Sequence, residues 1–560
     1  MAGTLSVPGA EESRFDVIVV GAGINGAGIA RDAALRGLRV LLLDKSGIGS
    51  GTSSWSTRLI HGGLRYLEHY EIGLVRESLR EREILLRIAP HLVRPLPFLI
   101  PIYEDNKRGP LLIRLGMMAY DALSLDKSVP HHSMLTRDEL LRRDPGLKRE
   151  GLRAAALYYD AQVEYPERLA FENALSAREQ GAVIHTYAHV DSLLTTGKRV
   201  DGVAFTDLLE GTRHQARAPI TINAAGPWVD ELLANDRLHP DRQIGGTKGS
   251  HVVVMPFPGA PHEALYVEAG TDHRPYFIVP WNDMYLIGTT DTRYESDLNT
   301  VVPDESEIDY LIRETNGVIP DAGLTRDAVL YAYAGVRPLP FKPAGSEGGI
   351  TRSHIIRDHA PEIEGLVSIV GGKLTTYRSL AQEAVDMLYR KMGKKPSPCA
   401  TARVPLPGAR TADYAAFAHD FASGSGLPEE ASRQLLRVYG TRSTQVVENA
   451  HGDADLLTPF SDTGAIGAEV PFSFEKELAR TLRDSLQRCT MVGWGPSVGI
   501  GADEKAVEIA VRHLGWTQDR AREEVAAYRK YVERYKPRSL LPQSRDECPH
   551  ESATRVRDTQ

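Results

Sequence analysis

The sequence predicts an α/β fold into which a largely antiparallel sheet is inserted, with a helical domain behind it. Three observations carry this. A β-branched run from Phe15 to Val20 stops at a glycine cluster, continues as a helical pattern to Gly37, and gives way to a second apolar run, Val40 to Leu43, closed by Asp44; this is a strand, helix and strand unit. Two later buried-strand candidates also end in small residues, one at Asn223-Ala224-Ala225-Gly226 and one, Leu366 to Val370, at Gly371-Gly372. Between them lie alternating or aromatic runs, His251 to Val254, Tyr276 to Val279 and Tyr285 to Ile287, punctuated by Gly and Pro in the manner of an antiparallel sheet.

After the Pro405-Leu406-Pro407-Gly408 break the pattern turns helical, with candidates at Phe474 to Gln487, Glu504 to Leu514 and Thr517 to Tyr535. The expected division is one composite region over 15–400, with the α/β parts near 15–90, 150–235 and 350–400 and the inserted parts near 91–149 and 236–349. A separate helical domain follows over 405–536, then a mobile polar tail over 537–560. A chain of 560 residues has room for two or three such units. The 66 Lys and Arg against 74 Asp and Glu leave a net charge of -8, so nothing global calls for nucleic acid and any cationic site must be local. Cys399, Cys489 and Cys548 form no paired framework and no metal-ligand spacing, which suits a reducing compartment. The first fourteen residues lack a signal-peptide core and no run approaches the roughly 18 apolar residues of a spanning helix, so membrane contact is expected to be peripheral.

Gly21-Ala22-Gly23-Ile24-Asn25-Gly26 matches G-x-G-x-x-G after a strand and before a helix, and Asp44 follows about 20 residues later. This is the Rossmann-type dinucleotide fingerprint. Gly21 permits the tight turn, Gly23 lets backbone approach a pyrophosphate at the helix N-terminus, Gly26 lets helix pack on strand, and Asp44 can accept from ribose hydroxyls. NAD and FAD share this unit. Small residues at Asn223-Ala224-Ala225-Gly226-Pro227-Trp228, and the Gly371 to Tyr377 stretch opening a helix expected from Thr375 to about Met387, favour FAD, because they bring backbone and helix amides close to a long cofactor.

The stretch Thr52 to Glu68, with Thr57-Arg58-Leu59-Ile60-His61-Gly62-Gly63-Leu64-Arg65-Tyr66 at its centre, resembles the FAD-dependent glycerol-3-phosphate dehydrogenase family, in particular its bacterial members. Lys248-Gly249-Ser250-His251, Gly288-Thr289-Thr290-Asp291, Gly335-Val336-Arg337-Pro338 and Gly371 to Tyr377 resemble family motifs in the same order. The resemblance runs from Phe15 to about residue 400. It implies a glutathione-reductase-like FAD fold with an antiparallel substrate domain, noncovalent FAD, oxidation of sn-glycerol 3-phosphate to dihydroxyacetone phosphate, a quinone acceptor, and peripheral attachment to the cytoplasmic face of the membrane; a place in the cytoplasm is the alternative, and a homodimer is allowed. The cofactor set it implies is Gly21, Gly23, Ile24, Asn25, Gly26, Asp44, Thr52, Ser53, Thr57, Arg58, Leu59, His61, Gly226, Gly372, Lys373, Leu374 and Thr375. Departures are Asp44 for Glu, Arg58 for Lys and Ala225 for Thr. No calcium-loop pattern is present, and no metal is expected.

Moving a hydride from an alcohol carbon to a flavin needs a held substrate, a base for the hydroxyl proton and a stabiliser for the reduced cofactor. Arg65, Arg337, Arg352 and Lys373 are the expected phosphate-binding cations, with Tyr66 as a further donor. His251 is the preferred base and His61 the alternative, its segment running under the flavin; Arg337 and Lys373 complete the catalytic set. Pro110 to Tyr120 is apolar with basic flanks, as an interfacial helix is, although a core helix is the plainer reading. The nearest competing function is a glycerol-3-phosphate oxidase that reduces oxygen; an amine or amino-acid oxidase and a flavin-binding sensor without turnover are more distant.

Overall fold

The computed structural model describes residues 15–68, 70–124, 127–234, 241–343 and 351–540. Of the expected tail, 541–560 lie outside the described residues, as do the first fourteen; Arg538–Leu540 form one 3-10 turn.

The first strand, β1 (Val17–Val20), is wholly buried and lies between β2 (Val40–Asp44) and the strand Thr221–Asn223, both parallel to it. The sheet runs in the order Ile355–Asp358, Leu366–Val370, Thr221–Asn223, β1, β2, Val183–Thr186, with only the Ile355–Asp358 edge antiparallel. Chain order reverses at β1, so its carboxyl end is the topological switch point where such sheets take ligands. The helix α1 (Ile24–Leu35) starts there and packs through Ala27, Ala30, Ala33 and Ala34 against the helices Pro166–Glu179 and Tyr377–Lys391. Small residues permit this closeness: a Cβ on Gly28 would come within 2.7 Å of the Tyr377 ring. The last of these helices begins two residues later than expected, with Thr376 at its N-cap.

A ten-stranded sheet stands over the carboxyl ends of the parallel strands. Its buried centre is Thr247–Val254, flanked by Met284–Gly288 and Val329–Arg337, and it continues through Pro275–Trp281, Ala264–Glu268 and Val93–Tyr103. All its pairings are antiparallel except that of Ala264–Glu268 with Val93–Tyr103. The division expected near residue 150 is corrected here. Leu152–Val163 pairs along the whole of Val93–Tyr103, and Leu59–Ile60 adds to its other side, so both belong to this sheet. The long complementary apolar stretch of Val93–Tyr103 decides the matter, and single-strand periodicity does not show a partner.

The C-terminal unit is helical, but two expectations about it change. Phe474 to Gln487 is not one helix: Glu469–Glu475 ends at a turn in which Leu478 has φ 62°, and Thr481 caps a new short helix through a capping box with Asp484. Nor does the unit pack separately. Trp494 contacts the rings of Trp55, Trp281, Tyr333 and Tyr535, and its apolar core is continuous with that under the ten-stranded sheet. Among the described residues no helix is long and apolar enough to cross a membrane. The helix Pro110–Ala122 does not behave as a core helix: Ile113, Met117 and Tyr120 face inward, whereas Leu111, Leu112, Leu115 and Met118 are each more than half exposed.

Candidate active site

One cavity of about 950 Å³ runs from the carboxyl end of β1 and β2 to the face of the ten-stranded sheet. At its first end the glycine turn is sterically obligatory. Gly21 has φ 103°, and a Cβ there would sit 2.5 Å from the Ala224 carbonyl oxygen; a Cβ on Gly26 would strike the Gly21 carbonyl. Gly26 thus supports the turn from beneath, while Gly21, Gly23, Ile24 and Asn25 form the wall. Asp44 accepts from the amides of Ala22 at 2.6 Å and Ser46 at 2.8 Å. Burial raises its carboxyl to about 6 despite those two bonds. Ser53 Oγ accepts from the Ile24 amide at 2.9 Å, and Thr52 donates to the Val336 carbonyl at 2.7 Å. Gly226, with φ 60°, and Gly372, with φ 93°, close the wall from the other strand ends, together with Leu59, Leu374 and Thr375. Asn25 donates to the Gly371 carbonyl at 3.3 Å, leaving its own Oδ1 buried without a partner.

The second end is cationic. Arg337 donates to Asp291 at 3.0 Å and to Thr289 Oγ1 at 3.1 Å. The same Asp291 lies 3.4 Å from Arg274 and 3.6 Å from Arg352. Three guanidiniums therefore share one carboxylate, and all four side chains line the cavity. Burial lowers Arg337 to about 10 against the pull of Asp291. Lys373 Nζ donates to Ser78 Oγ at 2.9 Å and sits 4.3 Å from the Tyr66 ring centre; burial brings its ammonium down to about 7, opposed in part by Asp160 and Glu77. Two residues on, Thr375 Oγ1 accepts from the His61 amide at 3.2 Å.

His251 stacks on Tyr333 with ring centres 4.9 Å apart, and its Nε2 is 2.9 Å from Thr57 Oγ1. Its Nδ1 is buried without a partner. Burial, then the charges of Arg337 and Arg58, push its pKa well below the ordinary value, so the ring is neutral near pH 7. His61 is neutral as well: burial and Lys373 take it to about 3. Both imidazoles line the cavity.

The family model described as FAD dependent oxidoreductase matches residues 16–378, and the one described as the C-terminal domain of alpha-glycerophosphate oxidase matches 399–521. A glycerol-3-phosphate dehydrogenase of Synechocystis sp. is 45% identical over 543 residues, covering 94% of this chain and 98% of the relative. The chain belongs to the FAD-dependent glycerol-3-phosphate dehydrogenase family. An aerobic member from Staphylococcus epidermidis is 33% identical over 492 residues, 85% of this chain and 86% of its own. The solved glycerol-3-phosphate dehydrogenase of Bacillus halodurans, complexed with FAD, superposes with a TM-score of 0.77 at 26% identity, covering 96% of this chain and 97% of that one. FAD is the cofactor of this family member, and the residues present fit it. The glycine turn leaves room for backbone contact with a pyrophosphate, and two buried polar atoms on the wall, Asn25 Oδ1 and Trp228 Nε1, lack partners within the protein.

Two expected cofactor residues do not line the cavity: Gly26, which lies beneath the turn, and Arg58. Arg58 has φ 61°, which turns its side chain away from the cavity into a fully buried pair with Glu167 at 2.9 and 3.0 Å, between the rings of Trp281 and Trp494, each 4.3 Å away. Its role is structural. The Arg65 side chain lies outside the described residues. Conversely, the motif Gly288 to Asp291 signals Asp291 without revealing its role as the hub of three arginines, and Trp228 stands in the quoted Asn223 run. Arg274 lies in no motif, and Arg483, Tyr531 and Arg534 of the C-terminal unit also line the cavity; sequence spacing offers no sign of them.

Proposed function

We propose that this protein oxidises sn-glycerol 3-phosphate to dihydroxyacetone phosphate and passes the electrons to a quinone at the cytoplasmic face of a membrane, on a glutathione-reductase-like variant of the FAD fold. The observation that carries the substrate is the Asp291 cluster, where cations outnumber their carboxylate on the wall of the cofactor's own cavity. A phosphate dianion completes such a set, and guanidinium forks match its oxygens. Lys373 adds a compact charge whose ammonium form a bound phosphate favours. When bound, FAD supplies the acceptor for the hydride leaving C2. His251, neutral and fixed by Tyr333 and Thr57, has a lone pair able to take the hydroxyl proton through Thr57. With Nε2 as acceptor, the Thr57 hydroxyl donates to it and can in turn accept from the substrate, so the proton comes to rest at Nε2. The arginines hold the phosphate away from the reacting carbon and orient C2.

Membrane attachment is supported by the exposed Leu111, Leu112, Leu115 and Met118 on a helix that carries Arg114 and follows Lys107 and Arg108, the composition of an interfacial helix. Tyr70, 88% exposed, lines the cavity and gives it an apolar rim. The test is anaerobic reduction of the FAD-loaded protein with sn-glycerol 3-phosphate, followed by reoxidation with a soluble quinone or with air. Bleaching, with quinone the faster oxidant, is expected. Failure to bleach contradicts the substrate; faster reoxidation by oxygen makes the protein an oxidase, the activity named in the match of its C-terminal part.

A further inference from the structure

Beyond β2 the chain turns through Lys45, Ser46 and Gly47, and the C-terminal unit lies directly on that turn. A Cβ on Gly47 would collide with Asp484 Oδ1, which also accepts from Tyr187 OH at 2.9 Å. Arg483 donates to Ser46 Oγ at 2.8 Å and to Tyr187 OH at 3.1 Å. Arg483, Tyr531 and Arg534 then continue the cavity wall that Asp44, Lys45 and Ser46 begin. The two guanidiniums rest on rings: Arg483 is 4.7 Å from the Tyr531 centre, and Arg534 is 5.3 Å from it and 5.4 Å from that of Trp55.

No direct ion pair takes up their charge; Asp484 and Glu167 act on Arg483 and Arg488 only from beyond ion-pair distance. Among the described residues no carboxylate pairs with Arg483, Arg534 or the buried Arg488 beside them, whose Nε has no partner at all. Two other fully buried arginines are neutralised directly, Arg58 by Glu167 and Arg168 by Glu477, whereas the buried Arg31 is held by Ser176 and the Val404 carbonyl. Desolvated cations without a direct ion pair are costly, and Arg483 and Arg534 face the end of the cavity marked for an adenosine ribose by Asp44. The charged group of FAD adjoining that ribose is the pyrophosphate.

We propose that the C-terminal unit forms part of the binding site for the adenosine diphosphate half of FAD, with Arg483 and Arg534 answering the pyrophosphate charge that the glycine turn alone meets only with amides. FAD binding and docking of the C-terminal unit are then one linked equilibrium, each strengthening the other. This stands independently of which alcohol the enzyme oxidises.

The test uses the full-length chain freed of flavin and titrated by calorimetry with FAD, ADP and adenosine. Arg483→Gln is expected to weaken FAD and ADP by ~10-fold or more while leaving adenosine little changed, and Arg483→Lys is expected to recover much of the loss. Equal losses for ADP and adenosine, or no loss for either, would overturn the proposal by reducing Arg483 to a packing residue. Should Arg483→Gln fail to fold, Arg534→Gln, at a half-buried position, gives a second reading. In the holoenzyme the appearance of free-flavin fluorescence on dilution is expected to be faster for Arg534→Gln than for the unaltered protein, and an unchanged rate contradicts the assignment.

Discussion

Arg58 and Arg337 are both guanidiniums from family-like motifs, and the fold uses them in opposite ways. Around Arg58 every charge is matched: one buried carboxylate receives it through two hydrogen bonds, and two indoles cover its faces. Around Arg337 the charges are mismatched, since Asp291 also serves Arg274 and Arg352 and all of them face a cavity. The first arrangement ties the Leu59–Ile60 segment to the helix Pro166–Glu179 and the aromatic core. The second waits for an anion. Burial and motif are common to the two regions; charge balance separates structure from binding.

The strongest way to break this comparison is to delete the charge at Arg337. Arg337→Met is expected to lower kcat/KM for sn-glycerol 3-phosphate by ~10³-fold in steady-state assays. Its thermal midpoint should hardly move, because Asp291 keeps two other cations. If the midpoint falls as far as it does for an Arg58 variant, the two regions are alike after all.

Arg58→Met should instead cost stability, about 3–5 kcal/mol by chemical denaturation, because Glu167 is left buried without its partner. Adding Glu167→Gln should restore part of that loss, and the folded, FAD-loaded fraction should turn over far better than Arg337→Met does. A smaller effect sharpens the cationic end. Lys373 is held to about 7, below the ordinary amine value, so its ammonium form is lost as pH rises through that point. KM for the phosphate substrate should therefore rise between about pH 6 and about pH 8, with proton uptake on binding above pH 7; calorimetry in two buffers of different ionisation enthalpy reads the uptake, and Lys373→Arg should abolish both. The smallest effect is at the other end. Asp44 is raised to about 6, so its carboxylate is lost as pH falls through that value, and FAD affinity should decline below it, by less than ~10-fold. Asp44→Asn should bind more weakly at neutral pH and show no such decline.

Local features were legible in the sequence. The unit from Phe15 to Asp44 is contiguous, so its glycines and acid could be assigned roles from spacing, and the structure gives Gly21 and Gly26 distinct steric reasons. The stretches carrying Arg337, Lys373 and His251 resemble family motifs, Arg352 stands outside the quoted ones, and the fold brings all four to one cavity. What escaped depends on direction or on long-range partners. A motif does not reveal that a positive φ turns Arg58 outward from the site, that Arg274 meets Asp291 across the sheet, or that Leu152–Val163 pairs with Val93–Tyr103. Helical periodicity found the C-terminal unit yet could not show that three of its side chains reach the cavity.

The most direct measurement compares two alcohols on the FAD-loaded protein without oxygen, following flavin absorbance as sn-glycerol 3-phosphate or glycerol is added. Bleaching by the phosphorylated alcohol at concentrations where glycerol does nothing is the expected result, because only the former completes the Asp291 cluster. No bleaching, or bleaching by both alcohols at similar concentrations, would contradict the role given to that cluster.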